Sequence, residues 1–216
     1  MTLTHATTLV RNEIIEAVTE FSQKLFSDVP LEITSYMLAN YYATRLLLPH
    51  IYDVCLVDIT NEATEIGIVR DGSLQYSTHV AFGRASIARE ITACTKTPLQ
   101  ETFRALPTFA AAADNPEVKM IYNAYVEKIY ELFQETGDRL TIPKNVYLET
   151  DSGLEELFTT LITKAGEQAS KGKVAVTVIK DSIQKATISQ NSQDTPLLVA
   201  GSFFHTNRTR SHFEYL

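Results

Sequence analysis

Asp58 is the residue of this chain whose position most readily suggests chemistry. It lies at the end of a short apolar run, Tyr52 to Ile59 (YDVCLVDI), just before a turn. A carboxylate there can face a ligand or hold a hydrated metal ion. Asn61, Thr64 and Glu65 follow closely. The plainer reading is that Asp58 only ends the strand and starts the turn, and spacing alone leaves both readings open. The other reactive side chains form no motif. His5, His50, His79, His205 and His212 are scattered, without metal-ligand spacing or a cysteine partner, and read as solvated. Ser86 and Ser152 have no His or acid at a recognisable spacing, and there is no G-x-S-x-G. Lys171-Gly172-Lys173 lacks the P-loop consensus and reads as a turn. Arg208, Arg210 and His212 read as a polar tail, with contact to an acidic surface or lipid headgroups as the sharper alternative.

The elements that must position these residues follow from periodicity. Ile14, Val18, Phe21 and Leu25 recur on one helical face, with Pro30 as the stop. A second helix is expected over Ser35 to Leu48, stopped by Pro49. Tyr52 to Ile59, Glu65 to Arg70 and Leu74 to Phe82 read as three strands of an antiparallel meander, with Asp71-Gly72 as the hairpin turn. Ala85 to Thr95 is expected to be helical, and Pro98 to Leu106 a short helix. Ala110 to Pro116 is expected to be a loop or a helix end. The clearest helix spans Glu117 to Arg139, through Val118, Ile121, Tyr125, Ile129, Leu132 and Phe133. A strand at Asn145 to Glu149, a helix at Leu154 to Ala165 and a strand at Val174 to Ile179 complete the pattern. Leu197 to Phe204 fits helix or strand. The order predicts an α/β fold with a mixed sheet covered by helices.

The chain has 216 residues and a formal net charge of −7, which argues against general nucleic-acid binding, since that needs a basic footprint. An apolar content of 44% with 21% charged residues is a globular balance rather than a disordered one. Cys55 and Cys94 cannot build a disulfide framework, and Cys55 sits in an apolar run as a core residue, which fits a reducing compartment. No signal peptide is visible at Met1 to Asn12, and no apolar run approaches the ~20 residues of a transmembrane segment.

The segment Val57 to Leu106 resembles the second lobe of the FtsA/PilM branch of the actin-like ATPase superfamily. Asp58, Ile59, Thr64, Ile66, the Asp71-Gly72 hairpin, Gly83, Ile87 and Ile91 carry the resemblance, and Pro143 to Leu157 (PKNVYLETDSGLEEL) extends it. It implies an actin-like, ribonuclease H-like lobe in the order β-β-β-α-(α)-β-α-β over residues 50–204. A helical lead over 1–49 is the end or remnant of a preceding lobe, and 205–216 is a flexible tail. It also implies a nucleotide site at Asp58, Thr60, Asn61, Thr64, Gly83 and Gly153, with Asp58 meeting Mg²⁺ through water. The departures lie in that site. Thr60-Asn61-Glu62 replaces the Gly-rich phosphate turn, Arg84 the second Gly of a pair, and Ala88 a helix Thr. Glu149-Thr150-Asp151-Ser152 replaces the Gly-rich turn beside adenine, leaving Gly153. Glycine admits close backbone approach to phosphate, and Glu62 would repel a triphosphate.

The expected function is therefore a scaffold with a degenerate ATPase site, a bacterial pseudo-ATPase of FtsA-like or PilM-like type. The resemblance places it in the cytoplasm, peripheral to the inner membrane through a partner, in type IV pilus assembly or cell division. Its partner would be the tail of a pilus inner-membrane protein or a tubulin-like division protein, with self-association as a further implied contact. The ending Ser211 to Leu216 is too short for an amphipathic membrane-targeting helix, which favours the pilus partner. The alternative is an active Mg–ATP-binding ATPase whose first lobe is missing from this chain, with Asp58 on Mg²⁺ and Thr64 near phosphate.

Overall fold

The computed structural model describes residues 10–27, 29, 31, 33–111, 115–135, 142–179, 201 and 205. Helix α1 (Asn12–Leu25) and helix α2 (Tyr36–Leu47) come first, and Ser35 caps α2 by accepting the Leu38 N–H at 3.2 Å. Strands β1 (Val54–Ile59), β2 (Thr64–Arg70) and β3 (Ser73–Val80) form the expected meander. Its β2–β3 turn takes positive φ at both Asp71 (49°) and Gly72 (72°), the twist a two-residue hairpin needs. Helices α3 (Arg84–Thr95), α4 (Leu99–Ala111) and α5 (Pro116–Gln134) follow, then β4 (Asn145–Glu149), α6 (Glu155–Ser170) and β5 (Ala175–Val178). Asn115 caps α5, its side-chain oxygen accepting the Glu117 and Val118 N–H groups, with Pro116 in the first turn.

The sheet order is β3-β2-β1-β4-β5. β1–β2 and β2–β3 are antiparallel, whereas β1–β4 and β4–β5 are parallel. β1 is central and buried along its whole length, so both faces must be covered. Cys55, Val57 and Ile59 belong to the larger core, with Ile66, Ile68, Ile87, Tyr125, Phe133 and Phe158. Val54 and Leu56 belong to the opposite core, with Val69, Tyr147 and the α2 residues Met37 and Ala43. The two-residue alternation along β1 thus sorts its side chains between helices α3, α5 and α6 on one face and α2 on the other.

Several helix ends depart from expectation: α5 stops at Gln134, short of the expected Arg139, and α6 runs past Ala165 to Ser170. α4 does not stop at Leu106 but runs through Pro107 to Ala111. Proline withholds one intrahelical donor. Packing carries the turn through: Leu106 and Thr102 are fully buried, and the Thr92 hydroxyl donates to that of Thr102 at 3.0 Å, tying α3 to α4. α1 ends at Leu25, well ahead of Pro30, and none of its residues is buried, the apolar Ile14, Val18, Phe21 and Leu25 being exposed. The expectations for Leu197 to Phe204 and for the tail fall outside the described residues, apart from Gly201 and His205. Among the described residues, no helix is long and apolar enough to cross a membrane.

Candidate functional site

The C-terminal ends of the parallel strands β1 and β4 meet where Asp58 stands beside Glu149 in register. Both carboxyl groups are buried. Asn40 of α2 donates its amide N–H to Glu149 at 2.9 Å, and the Thr44 hydroxyl backs Asn40 at 3.5 Å. Burial, then the nearby Glu149, Glu65 and Asp151, push the Asp58 carboxyl up to about 8. Glu65 is raised as well, mainly by burial, although Ser77 donates to it at 3.2 Å. The Tyr36 hydroxyl at the start of α2 is held protonated by burial and by the same two carboxylates, Glu149 and Asp58. The two strand ends therefore form a buried acid pair roofed by α2, in which Asp58 keeps its proton at neutral pH.

The β1–β2 turn is closed by Thr60. Its N–H and its hydroxyl both donate to the Ala63 carbonyl, at 2.9 and 3.0 Å. The Thr60 and Asn61 carbonyls then accept the N–H groups of Arg84 (3.1 Å) and Ala85 (2.8 Å), which open α3. Gly83 permits this approach, because a Cβ there would lie 2.4 Å from the Thr60 oxygen. The Arg84 side chain reaches across the site. Its guanidinium donates to the Asn61 side chain and pairs with Asp151 in the β4–α6 turn. Glu62 is held by Arg89 through two bonds, at 3.0 and 2.8 Å. Gly153, at φ +88°, donates its N–H to Glu155 at 2.6 Å.

The fold thus gathers Asp58, Thr60, Asn61, Gly83 and, through the Arg84–Asp151 pair, the turn that carries Gly153. Thr64 faces elsewhere. It is fully buried, its hydroxyl donates to the Phe82 carbonyl at 2.9 Å, and it lies 2.9 Å from the Tyr125 hydroxyl. Thr64→Val leaves that buried tyrosine and carbonyl short of a partner, and is expected to cost about 1–3 kcal/mol, read as a lower urea midpoint. Sequence reasoning missed Tyr36, Asn40 and Thr44. A sequence signal existed: Asn40 and Thr44 lie four apart among the apolar residues of α2, one turn of the same helical face. Ala88 is fully buried in α3, Cys55 is buried and Cys94 is exposed. Lys171 caps α6 at positive φ, a turn as expected. Among the described residues, no group of three or more His, Cys, Asp and Glu is arranged to hold a metal ion.

No protein-family model and no curated protein matches the sequence. Solved structures do match the fold. The PilM–PilN type IV pilus biogenesis complex matches with a TM-score of 0.62 at 16% identity, over 91% of this chain and 58% of that one. MreB 5 of Spiroplasma citri bound to AMPPNP matches with a TM-score of 0.60 at 12% identity, over 96% of this chain and 68% of that one. The fold is actin-like. A putative N-acetylmannosamine kinase from Listeria monocytogenes shares it at a TM-score of 0.52 and 12% identity, over 91% of this chain and 87% of that one. This actin-like chain spans little more than half the length of the PilM chain it matches, and its α/β order with a mixed five-stranded sheet is the one expected from the sequence.

Proposed function

We propose that this chain is an actin-like scaffold of the FtsA/PilM type that acts by holding a protein partner and does not turn over ATP. One observation carries the reading. The N–H groups that open α3, the natural seat for a phosphate, are spent on the Thr60 and Asn61 carbonyls. The neighbouring cation is spent too, since Arg84 is held between Asn61 and Asp151. What remains at the strand ends is the buried carboxyl pair of Asp58 and Glu149. A magnesium–triphosphate would have to break the Arg84 bridge and strip the proton from Asp58 before the metal could be held. This residue set fits a magnesium nucleotide poorly.

The pilus setting is the favoured one, with the protein peripheral at the cytoplasmic face of the inner membrane and the tail of a pilus membrane protein as partner. The similarity to PilM, solved in complex with PilN, supports it. A tubulin-like division protein is the other partner class. The alternative, an Mg–ATP-binding ATPase, draws on Asp58 standing at the β1 end and on the similarity to an MreB bound to AMPPNP. Isothermal titration of the full chain with Mg–ATP separates the two readings. No saturable heat up to millimolar nucleotide is expected. Micromolar binding abolished by Asp58→Ala overturns the scaffold reading.

A further inference from the structure

Ten large apolar residues between Val10 and Ile33 are exposed, and they make up most of the exposed large hydrophobics of the described residues. Scattered exposed apolar residues need no explanation, but four of these, Ile14, Val18, Phe21 and Leu25, lie along one face of α1, and an exposed apolar face marks an interaction surface. Its centre is α1. An isolated helix of this length is marginal in water, and none of the residues of α1 is buried. A covering surface is what would stabilise it.

The spacing says what kind of surface. Ile14, Val18, Phe21 and Leu25 recur at four, three and four, one apolar stripe along the helix that a single partner helix can cover. Glu13, Glu16 and Glu20 all fall on positions away from that stripe, so two such helices bring no glutamate against another. The flanking positions are Ile15, Ala17, Ser22 and Lys24. Antiparallel pairing sets Val18 against Phe21 of the other copy and Ile14 against Leu25. A lipid surface is a poor occupant. Helices that lie on membranes carry Lys and Arg on the polar face, whereas α1 carries three glutamates and one lysine, and that Lys24 is paired with Glu20 at 2.5 Å.

We propose that α1, with the apolar segment after it, is a self-pairing surface that joins two copies of this chain through an antiparallel helix pair. This assignment is independent of the proposed scaffold function and of the nucleotide question. Size-exclusion chromatography with light scattering on the full chain tests it. The expected mass is twice 24.2 kDa at tens of micromolar, falling to the single-chain mass on dilution. Phe21→Glu is expected to give a monomer at all concentrations with an unchanged thermal transition of the body, since Phe21 is 64% exposed and supports no core. Met120→Glu, on the exposed face of α5, is expected to leave the dimer intact. In a Cys94→Ser background, Val18→Cys with Phe21→Cys is expected to give an oxidised covalent dimer at low concentration. A wild-type chain that stays monomeric overturns the proposal, as does a dimer that survives Phe21→Glu. Co-flotation of a monomer with phosphatidylcholine–phosphatidylglycerol vesicles overturns it in favour of a lipid surface.

Discussion

Asp58→Asn is expected to stabilise the protein at neutral pH, by an amount that grows with pH. The carboxyl titrates near 3.8 when free and about 8 in the fold, where burial and Glu149 oppose its charge. The folded chain therefore holds a proton that the unfolded chain has released. Its folded pKa lies above its unfolded one, so ionisation favours the unfolded state. The penalty is absent below about pH 4, deepens as pH rises, and levels off above about 8. At 1.36 kcal/mol per unit, a gap of this size corresponds to about 4 kcal/mol near neutrality. An asparagine keeps the shape and has no proton to release, and imperfect pairing of its amide trims the gain to about 2–4 kcal/mol. Paired urea titrations at pH 5, 7 and 9 read the difference. A gap between variant and wild type that stays constant across that range would refute the buried-acid account.

Gly83→Ala is expected to be the most damaging small substitution at the site. Gly83 sits at φ −120°, a conformation any residue adopts, so backbone freedom is not the issue. The cost is steric. An added Cβ would lie 2.4 Å from the Thr60 oxygen, 2.6 Å from the Asn61 oxygen and 2.7 Å from the Ala63 nitrogen. All three are backbone atoms of one tight turn, which cannot step aside as a side chain could. Two of them accept the N–H groups that open α3. Relieving the clash therefore breaks those bonds, and the expected loss is about 2–4 kcal/mol. A urea midpoint within error of wild type would show that the turn yields freely.

The elements built from local signals were legible in the residues. The Asp71-Gly72 hairpin fixes the β2–β3 turn and the pairing beside it, up to the register shift between Ile68 and Val69, because two consecutive positive φ values have few other uses. The stripe from Val118 to Phe133 fixes α5 because all six of its named residues are buried. The end of α4 was not legible, since Pro107 signals a stop that Leu106 and Thr102 overrule by packing. The role of α1 was not legible either: periodicity states that a face is apolar, not what covers it. At the site, strand end and turn placed Asp58, Thr60, Asn61 and Gly83 together. The parallel β1–β4 pairing that sets Glu149 beside Asp58 joins residues far apart in the chain, and no local pattern encodes it. The same holds for Asn40, which meets Glu149 from a helix 109 positions earlier. Thr64 is the instructive case. Its neighbours suggested a ligand, but strand alternation turns its hydroxyl into the core beside Tyr125.

The amide hydrogens of Arg84 and Ala85 face neither solvent nor their own helix, because they are anchored in a turn that belongs to another part of the sheet. Their exchange with deuterium can proceed only when that turn lets go. The two protons therefore act as a built-in gauge of the strand ends: anything that lands on Asn61 or Asp151 and disturbs the Arg84 bridge should change their exchange rate, even if it moves nothing else.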